Sequence, residues 1–261
     1  MKRTLQIGNT VAFIGMIIVS YLSNTGIFNN NTMADVSEKY ENLFTPAGYA
    51  FSIWGLIYLA LLGFIIYQNR GLFKNVTDSW PVQEIGWWFI ISCVANSFWV
   101  IAWLYDYIGL SVILMIVLLF SLIKIIWNTR MELDDLPLNK IAFVWWPFCF
   151  YSGWISVALI ADISAWLTKI KWDGFGFSSE SWTLILIIIA GILNLLITWK
   201  RNMREFALVG AWGLIAVAVH NKNYHESIFY TAIVVAIILA ISSGIHGYKN
   251  RKSSPFKNLY R

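Results

Sequence analysis

The sequence predicts an all-α integral membrane protein, a polytopic helical bundle of about eight transmembrane helices. Hydrophobic residues make up 58% of the 261-residue chain and charged residues only 13%, about half of the roughly 25% that is typical of soluble domains. The charges divide the chain into apolar runs, most of them near the ~20 residues that a helix needs to cross a bilayer. We therefore expect the lipid bilayer to be the main partner of this chain.

Eight apolar runs follow one another along the chain. They cover approximately residues 5–23, 46–68, 85–105, 107–127, 141–161, 183–199, 206–220 and 228–248. The first run follows two cations, as in a signal peptide, but no clear cleavage site comes after it, so we expect an uncleaved span. The seventh run is short, so it would tilt less, cross a locally thin region or turn back as a re-entrant segment.

The basic residues indicate the orientation of the spans. If the N-terminus is cytoplasmic, fifteen of the 19 Lys and Arg residues fall on inner segments, and only Lys39, Lys169, Lys171 and Lys222 fall outside. This bias predicts that both termini are cytoplasmic, and we expect a multi-pass protein of the bacterial inner (plasma) membrane. The net charge of +5 is explained by this topology, so we expect no nucleic-acid partner.

Four tryptophans lie unusually deep in the predicted spans. Most of the 15 Trp residues are near the ends of apolar runs, where indole rings collect at membrane interfaces. The four deep ones are Trp54, Trp99, Trp154 and Trp212. At a rise of 1.5 Å per residue, each lies about 9–12 Å below the outer end of its run. Four different helices would therefore each place one Trp at about the same depth in the outer half of the membrane.

Polar side chains accompany three of these tryptophans, one helical turn away on the same face: Tyr58, Asn96 and Tyr151. Hydrocarbon offers such groups no partner, so we expect them to face the bundle interior or a cavity. Two interpretations stay open at this point. The residues pack and hydrogen-bond the helices together, or they line a pocket for a large flat ligand.

The motifs of common enzymes and metal sites are missing from the sequence. It has no zinc-protease, nucleophile-elbow, P-loop or dinucleotide motif, so we expect no enzyme activity, no cofactor and no metal. Cys93 and Cys149 lie within apolar runs and are expected to be free and buried. Asp162 lies at the outer end of the fifth run, where we expect a hydrated carboxylate or a partner of Lys169. The alternative is a proton or ion pathway.

Three segments carry a family resemblance. They are PAGYAFSIWGLIY, which begins at Pro46, NSFW, which begins at Asn96, and YSGWISVA, which begins at Tyr151. In this order and spacing they resemble the signature segments of the TspO/MBR family, the tryptophan-rich sensory proteins related to the peripheral benzodiazepine receptor. The resemblance covers roughly residues 1–168. The usual Pro-Pro pair is replaced by Thr45-Pro46, and three further runs follow, of which residues 206–213 resemble a longer bacterial subgroup.

The resemblance implies an organisation of the chain in four parts. A TspO-like five-helix core occupies residues 1–168 and an outer loop residues 169–182. Three additional transmembrane helices occupy residues 183–248, and a basic cytoplasmic tail residues 249–261. The polar segment at residues 24–45 would form a lid over the bundle. A solvated linker is the alternative for that segment.

The family implies a membrane receptor or sensor that binds a hydrophobic planar ligand of the tetrapyrrole class, such as protoporphyrin or haem, and often forms a homodimer. Carried over onto this chain, the expected ligand-binding residues are Trp54, Tyr58, Asn96, Trp99, Tyr151 and Trp154. The depth argument adds Trp212. The alternative function is a multi-pass transporter of a hydrophobic or weakly acidic small molecule. Light-dependent porphyrin breakdown, supplied with indoles by the deep tryptophans, is a separate hypothesis.

Overall fold

The computed structural model describes residues 2–73 and 80–250, and all regular secondary structure in those ranges is helical. The helices are α1 (Lys2–Leu22), α2 (Met33–Lys39), α3 (Ile53–Phe73), α4 (Trp80–Ile85), α5 (Trp88–Leu104), α6 (Ile108–Asn128), α7 (Leu138–Lys140), α8 (Trp146–Lys169), α9 (Ser179–Arg201), α10 (Arg204–Asn221) and α11 (Glu226–Lys249). A 3₁₀ turn, Gly48–Ser52, precedes α3, and a π turn, Ile141–Trp145, leads into α8. Each predicted apolar run overlaps one of the eight long helices, several of which extend beyond the predicted bounds.

Six helices in the described ranges are long and apolar enough to cross a membrane. They are Lys2–Leu22, Gly48–Leu72, Ile108–Asn128, Leu138–Lys169, Ser179–Arg201 and Glu226–Lys249. The chain is therefore a multi-pass membrane protein. Of the two other long helices, α5 is apolar but has only 17 residues, and α10, with 18 residues, is not among the six.

The long helices alternate in direction, so their connections gather at two ends of the bundle. Hydrogen bonds join neighbouring connections at one end through Gln6 and Gln68, Asn128 and Glu84, and Asn202 and Glu132. At the other end they join Asn31 and Leu104, and Asn221 and Leu43. We call these the basic end and the lid end, because the first carries most of the basic residues and the second carries residues 24–45.

Residues 24–45 fold into a structured segment instead of a solvated linker. A capping box starts α2, in which the Thr32 side chain accepts from the backbone N–H of Asp35 and the Asp35 carboxylate accepts from that of Thr32. Such reciprocal caps satisfy two backbone donors that the first turn leaves free. Val36 of this helix is buried, and the Trp103 indole donates to the Met33 carbonyl over 3.4 Å. The segment thus lies across the end of α5.

The three C-terminal helices join the first five long helices through α10. Helix α10 contacts α8, α9 and α11, and it approaches α8 so closely that a Cβ on Gly213 would lie 2.7 Å from Val157 Cγ1. The backbone N–H of Ala47 donates to the Ala216 carbonyl over 3.0 Å. The 3₁₀ turn before α3 is therefore held by α10. The predicted tail at residues 249–261 lies outside the described residues from residue 251 onward.

Candidate functional site

Trp54 lies at the centre of a cluster of aromatic rings. Its indole stacks on Trp99 with ring centroids 6.0 Å apart and planes 27° apart, and on Tyr58 at 5.4 Å and 29°. The edges of Tyr151 and Trp154 approach it at 5.9 Å and 6.4 Å. Offset-stacked and edge-to-face pairs are the favourable geometries for aromatic rings. The cluster therefore joins α3, α5 and α8 at one level of the bundle.

Phe51 extends this cluster toward the lid end, with its ring edge-on to Trp154 at 6.1 Å. It lies in the 3₁₀ turn, which the sequence prediction treated as part of the second span. The Tyr58 hydroxyl donates to Ser20 Oγ of α1 over 2.8 Å, so α1 also supports the cluster. We refer to Phe51, Trp54, Tyr58, Trp99, Tyr151 and Trp154 as the ring cluster.

Asp162 is buried beside the ring cluster and does not form the predicted hydrated helix end. Helix α8 continues to Lys169, so Asp162 lies within it, with an exposed fraction of 3%. Its carboxylate accepts from the Trp99 indole over 3.2 Å and from Ser111 Oγ over 2.8 Å. The predicted pairing with Lys169 is also wrong, because Lys169 contacts Asp106 instead.

Several polar atoms near the ring cluster have no hydrogen-bond partner among the described residues. They are the indole nitrogen of Trp154 and both side-chain amide atoms of Asn96. Both residues are almost completely buried. A buried polar group without a partner costs about 1–3 kcal/mol, and most such groups in proteins bind water or another group. These atoms are available to a polar group that enters the bundle.

A cavity of about 460 Å³ opens between the ring cluster and residues 24–45, which we call the lid segment. The ring cluster contributes Phe51, Trp54, Tyr58 and Trp99 to its wall, and Val100 lies beside them. The lid segment contributes Asn24, Met33, Ala34, Ser37, Glu38, Glu41 and Thr45. The remaining lining residues are Ser20, Ser23, Pro46, Gly48 and His220. A smaller cavity of about 50 Å³ shares Trp54 and Trp99 with it and reaches Trp154 and Asp162.

Ion pairs fasten the lid segment at this end. Asp106 pairs with Lys39 of α2 at 2.8 Å and with Lys169 of α8 at 3.2 Å. Burial raises the pKa of Asp106, but hydrogen bonds from Lys39, Tyr40 and Lys169 outweigh it and hold the pKa below its ordinary value. His220 contacts Glu41 at 3.1 Å. We call Lys39, Asp106 and Lys169 the latch.

The structure brings most of the predicted ligand-binding residues together, but not all of them line a cavity. Among the residues that line the two cavities are Trp54, Tyr58, Trp99 and Trp154. Tyr151 and Asn96 line neither cavity. Tyr151 contacts the ring of Trp54, and Asn96 is buried in the same helix as Trp99. Trp212 lies apart from the ring cluster. Its ring meets Tyr49 edge-on at 5.2 Å and its indole nitrogen donates to the Ala50 carbonyl over 3.3 Å.

Ser20, Ser111 and Met33 are neighbours of the site that the sequence prediction missed. Ser20 and Ser111 share their apolar runs with other hydroxyl residues, and they are a weak signal because a Ser within a helix usually bonds its own backbone. The position of Met33 in the cavity wall had a clearer signal in the sequence, since TMAD at residues 32–35 has the spacing of a capping box. That motif predicts the helix start and with it the position of Met33.

Comparison with known proteins gives one match. A family model described as TSPO-like protein matches residues 6–245. No match was found among curated proteins or among solved structures. The matched range covers α9, α10 and most of α11, and so extends well beyond the resemblance recognised over residues 1–168. Because the match covers nearly the whole chain and agrees with its helical membrane architecture, the chain belongs to the TSPO-like protein family.

Proposed function

We propose that this protein is a membrane receptor or sensor that binds a hydrophobic planar ligand of the tetrapyrrole class between the ring cluster and the lid segment. The observation that carries the proposal is the cavity of about 460 Å³ with Trp54 and Trp99 in its wall. Ligand pockets for small molecules typically enclose about 300–1,000 Å³. The TSPO-like family is consistent with a sensor or receptor kind of function.

The shape and chemistry of the wall favour a flat, conjugated ligand. Trp54 and Trp99 both line the cavity, and the parts of their rings that border it would gain energy from a parallel or edge-on ring of the ligand. The Trp154 indole nitrogen has no partner among the described residues and Trp154 lines the smaller cavity, so it would orient a polar substituent of the ligand. The latch would hold α2 over the bound molecule and would exclude water from it.

We further propose that all eight long helices cross the membrane, with both termini in the cytoplasm of a bacterial cell. The alternation of the helices between the two ends supports this topology, since it requires both α5 and α10 to traverse the bundle. The excess of Lys and Arg at the basic end supports a cytoplasmic location for that end.

Titration of the detergent-solubilised protein with protoporphyrin IX tests the ligand proposal. Tryptophan quenching should saturate in the wild type, and the triple variant Trp54→Phe, Trp99→Phe, Trp154→Phe should bind at least tenfold more weakly with its helix content unchanged. The matched control replaces Trp87, Trp127 and Trp199 by Phe, because these rings are exposed by 55%, 71% and 46%. It removes as many indoles as the first variant and should bind normally.

Linear quenching of equal strength in all three proteins would contradict the proposal. It would mean that the porphyrin only partitions into the micelle. The ring cluster would then be helix packing, and the cavity would need another ligand.

A transporter of a hydrophobic or weakly acidic small molecule is the second candidate, and the position of Asp162 favours it. A buried carboxylate in a membrane helix usually marks a pathway for protons or ions, and Asp162 lines the smaller cavity. This candidate predicts substrate flux in proteoliposomes that Asp162→Asn reduces. A pure receptor would bind ligand without flux in either protein.

A further inference from the structure

An apolar groove of about 380 Å³ runs along the outside of α8, between α6 and α9. Helix α6 makes its main contacts with α5 and α8, and α9 with α10 and α11, so the two walls diverge. Ser152, Ser156 and Val157 of α8 form the floor. Side chains at the rim, such as Leu193, are about half exposed. The groove is thus open to the hydrocarbon region and shares no aromatic ring with the ring cluster.

The length of the groove matches one leaflet of a bilayer. On α9 its lining extends from Ala190 to Arg201, which corresponds to about 16 Å at the helical rise of 1.5 Å per residue. Half of the ~30 Å hydrocarbon thickness is about 15 Å. A lipid acyl chain in the leaflet at the basic end would therefore fit along it from end to end.

The basic end of the groove carries a cation that lacks a carboxylate partner. Arg201 lines this end and is partly buried. Its guanidinium reaches the Met131 carbonyl only at 3.5 Å, at the limit of a hydrogen bond. Within residues 2–73 and 80–250 no carboxylate forms an ion pair with it, whereas the nearby Arg130 is paired with Asp134 at 3.0 Å. Arginine binds phosphate through two parallel N–H donors, so Arg201 is free to take one.

Trp127 lies at the same end of the groove as Arg201. It lines the groove beside Arg201 and is 71% exposed. Exposed Trp rings favour the headgroup level of a membrane, and anionic lipids attract basic residues at the cytoplasmic surface. An aromatic ring and a cation therefore lie where a phospholipid acyl chain would give way to its phosphate.

The seam beside α8 continues toward the lid end. A second groove, of about 420 Å³, lies between α8 and α9 at the lid end and shares Ile160 with the first. Its lining mixes apolar side chains with polar ones, among them Asn42, Ser164 and Asp173, and it ends at Lys171, Trp172 and Trp182. The seam beside α8 therefore continues to the lid end.

We propose that the groove at the basic end binds an anionic phospholipid, with one acyl chain between α6 and α9 and the phosphate on Arg201. This lipid is a structural partner and is distinct from the ligand proposed for the ring-cluster cavity. Its binding does not depend on that ligand, because Arg201 and Trp127 line only the groove.

Native mass spectrometry of the full chain, with phosphatidylglycerol or phosphatidylcholine of identical acyl chains added, tests the proposal. The wild type should retain one phosphatidylglycerol per chain with at least fivefold preference over phosphatidylcholine. Arg201→Gln should abolish that preference. The matched control is Lys200→Gln, since Lys200 is the exposed neighbour on the same helix and does not line the groove. It removes the same charge and should retain the preference.

A second variant tests the acyl-chain part of the site. Ser156→Phe would fill the floor of the groove and should reduce retention of both lipids. Equal loss of preference in Arg201→Gln and Lys200→Gln would overturn the proposal, since general charge attraction would explain it. A homodimer that excludes the lipid and dissociates in Ser156→Phe would also overturn it, because a second copy of the chain would then occupy the groove. If Ser156→Phe does not fold, the comparison of Arg201→Gln with Lys200→Gln still decides.

Discussion

The indole N–H of Trp99 donates a hydrogen bond to Oδ2 of Asp162 over 3.2 Å, across 63 residues of sequence. The bond joins α5 to α8 between two buried side chains. It also fixes the orientation of the ring that stacks on Trp54. The geometry of the cavity wall therefore depends on a carboxylate that is not itself part of the ring cluster.

We expect the Trp99–Asp162 bond to appear as an energetic coupling. Trp99→Phe removes the donor and Asp162→Leu removes the acceptor, and each should destabilise the folded protein by about 1–3 kcal/mol. The double variant should lose less than the sum, by about 1 kcal/mol. Equilibrium unfolding in detergent measures all three. As a control, Trp182→Phe is combined with Asp162→Leu, because the Trp182 indole bonds Gly174 and not Asp162. These two changes should be additive. Additivity of Trp99→Phe with Asp162→Leu as well would contradict the expectation.

The latch should control the mobility of α2. Asp106→Asn removes the ion pairs to Lys39 and Lys169, and Asn is well suited to the left-handed backbone at this position, φ 67°. Exposed pairs contribute up to about 1 kcal/mol each, so hydrogen exchange of the α2 amides should accelerate roughly threefold to tenfold. Asp134→Asn, which removes a similar pair at the basic end, should leave α2 unchanged.

The latch should also respond to acid. Because the pKa of Asp106 is lowered in the folded protein, its pairs stabilise the lid at neutral pH and are lost as the pH falls through that lowered value, below about 4. Exchange of the α2 amides in the wild type should then approach that of Asp106→Asn. If the α2 amides exchanged at the same rate in the wild type and in Asp106→Asn at neutral pH, the role of the latch would be contradicted.

The charge at the cavity mouth should disfavour ligands with carboxylates. Glu38 and Glu41 line the cavity, and His220, the one basic side chain among its described lining residues, already contacts Glu41. Glu38→Gln should therefore tighten binding of free-acid protoporphyrin roughly twofold to fivefold, as expected from a surface charge interaction of up to about 1 kcal/mol. Porphyrin dimethyl ester should bind both proteins equally.

Salt provides the check on this electrostatic effect. The gain from Glu38→Gln should disappear at about 1 M salt, where the Debye length is about 3 Å. Glu226→Gln, which removes an exposed carboxylate outside the cavity, should have no effect on either ligand. A gain that persists with the ester would point to a change in shape instead of charge.

Glu132 should make stability depend on pH near neutrality. It lies between α6 and α7. Burial and the negative charge of Glu205 raise its pKa from 4.5 to about 7, although the positive charge of Arg204 acts in the opposite direction. The folded state therefore binds a proton that the unfolded state releases. The corresponding stability is complete below about pH 4.5 and is lost as the pH rises to about 7.

Thermal unfolding between pH 5 and pH 8 measures this dependence. The melting temperature of the wild type should fall over that range, and that of Glu132→Gln should fall less, so that the variant is the more stable protein at pH 8. Glu132 and Asp135 both line a polar cavity of about 190 Å³ at the basic end. Asp135→Asn removes the second of these carboxylates and should retain the wild-type slope. Parallel slopes in all three proteins would rule out Glu132 as the origin.

The helices and the centre of the site follow from local sequence patterns. The spacing of charges located the eight long helices, and the depth of Trp54, Trp99 and Trp154 within their runs placed them at one level. These features depend only on the helical rise and on the chemistry of the bilayer. The capping box at Thr32 likewise predicts α2 from four residues.

The positions that the sequence did not predict depend on how the helices pack. Asp162 was expected at a helix end, but α8 continues to Lys169 and turns the carboxylate toward Ser111 of another helix. Trp212 was expected among the ligand-binding residues, but its indole bonds the Ala50 carbonyl of the 3₁₀ turn and it lines neither of the two cavities. No local pattern encodes either contact, because each needs the positions of two distant helices.

The two hydrogen bonds that tie the 3₁₀ turn to α10 have a consequence for biogenesis. Ala47 and Ala50 are made early by the ribosome, yet Trp212, which bonds Ala50, follows 162 residues later. Until α10 has folded, α3 has its helix but not the anchor of the segment that leads into it. The earlier helices must therefore be held by their own packing, and the cavity acquires His220, the part of its wall that α10 contributes, only at the end.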